Sequence, residues 1–221
     1  MIPINSLSMV NQSASSSSNQ IALWQRRRML GRGLLAVAAL ALAPGCGTFS
    51  RNKGHRPRNE IVVSVADQRM GLYDAEGKLV RTFDVSTSKF GLGDTPGSYR
   101  TPLGLHRVAA KIGCNAPMGA VFKSRRMTGE VLPPDAPGRD PIVTRILWLQ
   151  GLESQNGNAY RRYIYIHGTA EERNIGKPVS YGCVRMRSTD VVELYNVVPV
   201  GAKVRIIEGS LRGRPPRRQR A

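Results

Sequence analysis

The sequence predicts one mostly β domain, residues 60–208, with a single clear helix and flexible ends. Short runs of β-branched and aromatic residues recur between turns that contain Gly, Pro, Asn or Asp, which is typical of strands. Only "STDVVELYNVV", at 188–198, has the spacing of an amphipathic helix. An apolar content of 41% is sufficient for a hydrophobic core.

The strands are expected at intervals along this domain. The first three form a β-meander, and Gly97, Pro102 and Gly104 bend the chain before the fourth. The runs with the strand pattern are 61–65, 70–73, 79–86, 105–111, 142–151, 161–168 and 202–209. Residues 112–141 are rich in Gly and Pro and predict a long loop, a kind of segment that is commonly functional in a compact domain.

The helix over 188–198 is predicted from its ends and its apolar face. Ser188 or Thr189 is a suitable N-cap, and Asp190 favours the positive end of the helix dipole. Pro199 ends the helix. The residues expected to pack on the sheet are Val191, Leu194, Tyr195 and Val198.

The formal charge of +18 lies mainly outside the domain. Residues 1–59 carry eight Lys or Arg and residues 209–221 carry five Arg, and neither segment has an acidic residue. The domain holds the other 20 basic residues and all 15 acidic ones, a balance that argues against a nucleic-acid partner. The Arg/Pro tail, 209–221, is predicted to be disordered.

Residues 1–45 have the features of an export signal. Arg26, Arg27 and Arg28 resemble the twin-arginine export motif and precede an apolar run, Leu34–Ala43, that is too short to span a bilayer. "LAPGC" resembles a bacterial lipoprotein box in which Cys46 is acylated. We therefore expect an exported protein of the cell envelope, held at a membrane through Cys46 and a basic linker, 46–59. An ordinary cleaved signal, with Cys46 incidental, is the alternative.

Cys183 and His167 are the candidate reactive residues. His167 ends the strand-like run "YIYIH", and Cys183 follows Gly182, which allows a substrate to approach the thiol. An adjacent imidazole is expected to form an ion pair with the thiol and so activate it. The residues alone leave open a Cys114–Cys183 disulfide, a buried inert pair, and a zinc site of His106, Cys114, His167 and Cys183.

The two motifs together resemble the L,D-transpeptidase catalytic domain of bacterial cell-wall enzymes. That family has an HG pair, a variable spacer and then S-H-G-C-[IV]-R-[ML]; here "HGT" is followed by ten residues and "SYGCVRM". The likeness extends to "DQRMGLYDAEGKLVRTFDVSTS", "TPLGLHRVAAK" and "STDVVELYNVVPVGAKVRII". It implies a β-sandwich-like catalytic fold with one C-terminal helix and a variable lid loop.

The resemblance implies a role for each residue of the motif. Cys183 is the nucleophile, His167 is its base, and the carbonyl of Gly168 orients the imidazole. The amides of Tyr181, Gly182 and Cys183 form the oxyanion hole. Tyr181 stands where the family usually has His, so a second imidazole is missing, whereas the nucleophile and base are kept.

Other positions are assigned less directly. Arg185 and Ser180 are implied to contact the substrate; a structural ion pair and a hydrogen bond that holds the turn are their respective alternatives. His106 stands where the family favours Phe and is interpreted as a packing residue. The lid carries basic side chains that could meet carboxylates of the substrate or simply face solvent: Lys123, Arg125 and Arg126.

The implied reaction is acyl transfer on peptidoglycan stem peptides, which needs no metal or cofactor. The thiolate attacks the carbonyl between diaminopimelate and D-alanine in a tetrapeptide stem, D-alanine leaves, and an amine takes the acyl group from the thioester. The acceptor is a second stem, which gives a 3→3 crosslink, or an envelope protein; water as acceptor would make an L,D-carboxypeptidase. A catalytically silent, envelope-binding lipoprotein with the same fold is the alternative from another class. A monomer is expected.

Overall fold

The computed structural model describes residues 59–212, where ten strands and one α-helix form the fold. The strands are β1 (Glu60–Ser64), β2 (Arg69–Tyr73), β3 (Leu79–Asp84), β4 (Gly104–Ile112), β5 (Ala120–Lys123), β6 (Arg126–Val131), β7 (Ile142–Gly151), β8 (Tyr165–Thr169), β9 (Val184–Met186) and β10 (Lys203–Ile207). The helix α1 (Ser188–Val197) lies between β9 and β10 in the chain. The predicted class, mostly β with one helix, is confirmed.

The predicted export signal, Cys46, the linker up to residue 58 and the tail from residue 213 lie outside the described residues. Within 59–212, no helix is long and apolar enough to cross a membrane. The first residues of the predicted tail contact the domain, since Ser210 and Leu211 both donate hydrogen bonds to the Asp67 carboxylate (2.8 and 2.7 Å).

The strands belong to one mixed sheet. Its order is β3-β2-β1-β10-β4-β7-β5-β6, and β8 and β9 branch from β7. The β1–β10 and β8–β9 pairs are parallel, and the other pairs are antiparallel. The last strand in the chain, β10, therefore lies inside the sheet, between β1 and β4.

The strand β7 organises the region of the candidate site. One of its edges pairs with β4 and β5, and its other edge pairs with β8. Its register with β8 shifts between Val143 and Ile146, where Thr144 has a φ of +70°. Such bulges bend a strand and redirect its side chains. The Thr144 hydroxyl lies 2.8 Å from Ser188 Oγ and accepts the Gly119 N–H, so the bulge is tied to the start of α1.

Alternate residues of β7 belong to two apolar clusters. Leu147 and Leu149 enter the main core, which includes the apolar face of α1, whereas Ile146 and Trp148 enter a smaller cluster with residues of β5. The four residues predicted to pack on the sheet, three in α1 and its C-cap residue, are all buried, which confirms that face: Val191, Leu194, Tyr195 and Val198. Burial of one such side chain stabilises a fold by about 1.5–3 kcal/mol.

The predicted cap of α1 is wrong. Arg187 is the N-cap residue and makes no side-chain capping hydrogen bond. The Ser188 amide instead donates to Glu172 Oε1 at 2.7 Å, so a carboxylate from outside the helix stabilises its positive end.

The prediction of one long loop over 112–141 is also wrong, because this segment contains the β5–β6 hairpin. Every residue of β6 is exposed, so the strand lacks the alternation by which a half-buried strand is recognised. The run 161–168 is partly wrong as well: residues 161–163 form a turn, and β8 begins only at Tyr165.

Candidate active site

Cys183 ends a tightly hydrogen-bonded turn that leads into β9. The Ser180 hydroxyl donates to the Cys183 carbonyl (2.6 Å) and accepts from the Gly182 amide (3.2 Å). Thr101 Oγ1 donates to the Gly182 carbonyl (3.1 Å), and the Ser180 amide donates to the Thr87 carbonyl (2.9 Å). Ser180 is fully buried. It therefore holds the turn, and its hydroxyl has no surface to offer a substrate.

Gly182 has a backbone conformation that favours glycine. Its φ is +113°, and a Cβ at this position would lie 3.1 Å from the Arg100 carbonyl oxygen. Its amide is already engaged by Ser180, so an oxyanion would have to compete with that hydroxyl. The oxyanion-hole role of Tyr181, Gly182 and Cys183 stays a prediction, with the Gly182 donor the weakest of the three.

His167 lies in the middle of β8 and is only 5% exposed. Its Nδ1 is 2.8 Å from the Gly168 carbonyl oxygen. Because a carbonyl can only accept, Nδ1 carries the proton, and Nε2 keeps a lone pair. Gly168 is required by packing, since a Cβ there would lie 2.7 Å from the Val143 carbonyl oxygen at the β7 bulge.

His167 and Cys183 lie on the same face of neighbouring parallel strands. His167 pairs with Arg185 of β9, and Cys183, two residues earlier, projects from the same face as Arg185. Cys183 Sγ donates to the Tyr163 carbonyl and accepts from the Tyr165 amide, both at 3.4 Å. In the described part of the chain no hydrogen bond joins Sγ to the imidazole. The thiol proton is directed at the Tyr163 carbonyl.

Burial keeps both reactive groups neutral. It raises the pKa of the Cys183 thiol to about 11, although the Tyr165 amide and the charges of Arg185 and Arg162 act in the opposite direction. Burial also lowers the pKa of His167 to about 4, against its hydrogen bond to the backbone. Both shifts disfavour the expected resting ion pair. They favour a thiol and a neutral imidazole at neutral pH, and a neutral imidazole is the state that a general base requires.

Arg185 is paired within the domain. Its Nη1 lies 2.7 Å from Asp140 Oδ2 and 3.7 Å from Glu171 Oε2, and its side chain is 11% exposed. The structural ion pair left open by the sequence is thus present. Arg185 also lies near His167 and Cys183, where its positive charge lowers both pKa values. Contact with a substrate stays a prediction.

A second buried arginine near the thiol was missed from the sequence. Arg162 forms a 2.9 Å ion pair with Asp94, with both side chains less than a tenth exposed. It also donates to the carbonyls of Gly93 (3.0 Å) and Arg100 (2.7 Å). Nothing in the sequence distinguishes Arg162 from the adjacent, exposed Arg161, because only the tertiary contacts of its side chain differ.

Tyr181 is half exposed and belongs to a surface aromatic cluster with Phe90 and Tyr99. The three ring centroids are 5.5–5.8 Å apart. Lys89 Nζ lies 4.5 Å from the centre of the Tyr181 ring and 3.1 Å from its hydroxyl. The residue that replaces the family's usual His thus packs on the surface beside the cysteine turn.

The alternatives for the cysteines are resolved in part. Cys114 and Cys183 are both free thiols, so no disulfide joins them. Within residues 59–212, no three His, Cys, Asp or Glu side chains are grouped to hold a metal ion. His106 is completely buried in β4, with Nδ1 3.1 Å from the Gly104 carbonyl oxygen, which agrees with a packing role.

Comparison with known proteins identifies the family. The model of the YkuD family, described as the L,D-transpeptidase catalytic domain, matches residues 58–206. The chain belongs to this family. The matched range of this L,D-transpeptidase domain includes both His167 and Cys183.

Its relatives carry names from the same family. The chain is 31% identical to "Probable L,D-transpeptidase ErfK/SrfK" of Escherichia coli K12 over 153 residues, which cover 68% of this chain and 44% of that protein. It is 31% identical to "Probable L,D-transpeptidase YbiS" of E. coli K12 over 150 residues, 67% of this chain and 44% of that one. The chain thus matches less than half the length of these relatives. The solved structure of an L,D-transpeptidase from Mycobacterium smegmatis aligns with a TM-score of 0.45 at 17% identity, covering 68% of this chain and 59% of that one.

Proposed function

We propose that this protein is a peptidoglycan L,D-transpeptidase in which Cys183 is the nucleophile and His167 its general base. The observation that carries the proposal is the placement of both residues on one face of the β8–β9 pair, with Nδ1 of His167 held by the Gly168 carbonyl. Nε2 is then the acceptor for the thiol proton. Membership of the L,D-transpeptidase family supports the same reaction class.

In the first half-reaction, Cys183 Sγ attacks the carbonyl carbon between diaminopimelate and D-alanine of a tetrapeptide stem. Its proton passes to His167 Nε2, and the carbonyl oxygen becomes an oxyanion that the amides of Tyr181 and Cys183 stabilise. The C–N bond then breaks. D-alanine leaves with the proton from His167, and the stem is held as a thioester on Cys183.

In the second half-reaction, an amine attacks the thioester carbonyl and gives a proton to His167. The C–S bond breaks, and the proton returns to Sγ. The acceptor is the side-chain amine of diaminopimelate in a second stem, or a lysine of an envelope protein. If water attacks the thioester instead of an amine, the protein acts as an L,D-carboxypeptidase.

The proposed location of this reaction in the cell envelope rests on sequence segments outside the described residues. Residues 1–45 export the chain, and acylation of Cys46 holds it at the membrane surface of the cell envelope, where stem peptides are found. The basic linker and tail favour anionic lipid or wall polymer. Intact-mass measurement of the mature protein tests this part, since an unmodified Cys46 contradicts the anchor.

The reaction is tested by incubating the purified protein with disaccharide-tetrapeptide and following D-alanine and crosslinked dimers by mass spectrometry. We expect D-alanine release with wild-type protein and none with Cys183→Ala. Dimers, protein adducts and tripeptide products distinguish the three acceptors. Absence of D-alanine release from the wild type under reducing conditions would contradict the proposal.

A silent, envelope-binding protein with the same fold is the second candidate. It is favoured by the neutral thiol, whose pKa is raised to about 11, and by the sulfur's hydrogen bond to the Tyr163 carbonyl. Labelling with a carbapenem separates the two candidates, because an acylatable thiol gains the mass of the drug and a silent one does not. Mass gain at Cys183 supports the enzyme.

A further inference from the structure

The turn of the β5–β6 hairpin holds an arginine in an unusual backbone conformation. Ser124 and Arg125 both have positive φ, 49° and 66°. Two-residue hairpin turns of this kind favour Asn and Gly, which tolerate positive φ, so the sequence here is not the one the backbone prefers. The strand pairs Lys123–Arg126 and Phe122–Met127 flank the turn and fix its direction.

Three aromatic residues hold the Arg125 guanidinium. Its central carbon lies 4.8 Å from the centre of the Trp148 ring and 5.2 Å from that of Tyr163. Its Nη1 donates to the Tyr165 hydroxyl at 3.4 Å. Aromatic faces orient a guanidinium without neutralising its charge.

Arg125 has no acidic partner among residues 59–212. The arginines in the ion pairs of this region are Arg69, Arg81, Arg139, Arg162, Arg185, Arg187 and Arg205. A guanidinium has five N–H donors in a planar fork, and the Tyr165 hydroxyl uses only one of them. The remaining fork matches a planar carboxylate in geometry and in charge.

The aromatic support of Arg125 also touches the thiol. The Tyr163 carbonyl accepts the hydrogen bond from Cys183 Sγ, and the Tyr165 amide donates to that sulfur, each at 3.4 Å. Two of the three residues that hold the guanidinium are therefore in direct contact with Cys183. The side chains of Tyr163 and Tyr165 thus contact Arg125, and their backbone atoms contact the sulfur, so an anion bound by Arg125 would lie on the same two residues as the thiol.

We propose that Arg125, held by Trp148, Tyr163 and Tyr165, binds a carboxylate of the peptide whose acyl group Cys183 receives. The inference rests on the proposed function. A tetrapeptide stem offers a carboxylate at its C-terminal D-alanine and another on the side chain of diaminopimelate. If Arg125 binds the C-terminal carboxylate, the site selects peptides with a single residue after the cleaved bond. If it binds the side-chain carboxylate, the site selects diaminopimelate as the residue whose carbonyl is transferred to Cys183.

The test compares Arg125→Gln with Arg125→Lys and with Arg161→Gln. Arg161 is an exposed arginine in the turn before β8, so its replacement removes the same charge from a nearby surface. In D-alanine release from a tetrapeptide, we expect Arg125→Gln to raise KM about tenfold, with kcat within about twofold, as for loss of a charged hydrogen bond. Arg125→Lys is expected to be intermediate, because Lys keeps the charge but not the fork. Arg161→Gln should match the wild type.

Two modified substrates identify the carboxylate. One has a C-terminal D-alanine amide, and the other has an amidated diaminopimelate side chain. The substrate that lacks the recognised carboxylate should show the raised KM with the wild type and no further rise with Arg125→Gln. Equal KM values for Arg125→Gln and Arg161→Gln on the unmodified tetrapeptide overturn the inference.

Failure of the inference is distinguishable from failure of the proposed function. A wild-type protein that releases D-alanine, with no effect of Arg125→Gln, retains the function and loses only the carboxylate site. If the wild type releases no D-alanine, calorimetric titration of the same variants with the tetrapeptide still measures the site. An unchanged Kd in Arg125→Gln then rejects it.

Discussion

On one face of the β8–β9 pair, Ile166, Val184 and Met186 are completely buried and pack in the core that includes α1. On the other face lie His167 of β8 and Cys183, the residue directly before β9. Each is next in sequence to one of those apolar residues. Both sets use one backbone and one register. The faces differ only because side chains alternate along a strand.

The comparison shows how the site is fixed without a direct link between its two reactive groups. The apolar face fixes the backbone of both strands, and the backbone in turn fixes His167 and the thiol. The site face carries an energetic cost, since His167 and Arg185 are both buried there. Replacements on the core face should therefore reduce stability, whereas replacements on the site face should change chemistry with less effect on folding.

The largest effect is expected for Cys183→Ala on the site face. D-alanine release should fall by at least about 10³-fold, because the proposed thioester forms on this sulfur. The free energy of unfolding should change by less than about 1 kcal/mol. Cys114→Ser is the control, since this second free thiol is exposed and should be dispensable. Loss of activity in Cys114→Ser, or its survival in Cys183→Ala, contradicts the assignment.

On the core face, Ile166→Ala should reduce the free energy of unfolding by about 2–5 kcal/mol, as for other buried Ile-to-Ala replacements. Urea unfolding measures the change. Val80→Ala is the matched surface control, because Val80 is 61% exposed, and it should cost less than about 0.5 kcal/mol. Carbapenem should still acylate the folded fraction of Ile166→Ala. If Ile166→Ala reduced the free energy of unfolding no more than Val80→Ala does, the apolar face would not stabilise the strands.

Acid should destabilise the protein through His167. The unfolded chain takes up a proton near the ordinary pKa of 6.5, whereas the folded imidazole does so only at about 4. The stabilisation is present above pH 6.5 and is lost as the pH falls towards 4, a change on the order of 3 kcal/mol. His167→Gln should flatten this acid limb in urea titrations between pH 4 and 7. Burial also lowers the pKa of His106, so His106→Phe measures the contribution of that second buried imidazole to the same limb. A wild-type slope in His167→Gln would contradict the assignment to His167.

The neutral state of the thiol can be measured by alkylation with iodoacetamide in a Cys114→Ser background. Because the pKa of Cys183 is raised to about 11, the rate should rise about tenfold per pH unit from neutral pH to about 10. A preformed ion pair with His167 would instead give a plateau through the neutral range. Such a plateau would show that Cys183 and His167 form an ion pair in the free protein, which their burial disfavours.

The smallest effect is expected at the rim of the site face, for Tyr181→His. A second imidazole beside the cysteine turn should raise the rate of D-alanine release by less than about fivefold. Stability should change by about 0.5 kcal/mol, because the ring is 54% exposed. Phe90→His is the control from the same aromatic cluster and lies outside the turn. A larger gain in Phe90→His would assign the effect to surface charge alone.

The sequence was sufficient for features with a local cause. The periodicity of 188–198 predicts the buried face of α1, and the "HG" and "SYGC" motifs identify the pair that the β8–β9 register brings together. Both depend on side-chain types at fixed short spacings, which a sequence displays directly.

Features with partners far along the chain could not be predicted. The cap of α1 comes from Glu172, and Arg185 is paired by Asp140, more than forty residues away. The hairpin turn at Ser124 and Arg125 lacks the Asn or Gly that marks such turns. The raised pKa of Cys183 results from packing against residues that the fold, and not the local sequence, brings to the sulfur.

The position of β10 has a consequence for how the domain is made. This strand separates the β1–β2–β3 meander from β4 and β7, and it supplies the hydrogen bonds on both sides. The two halves of the sheet therefore cannot join before β10, the last of these ten strands in the chain, pairs with both. Until that pairing forms, the facing strand edges of both halves lack their hydrogen-bond partners.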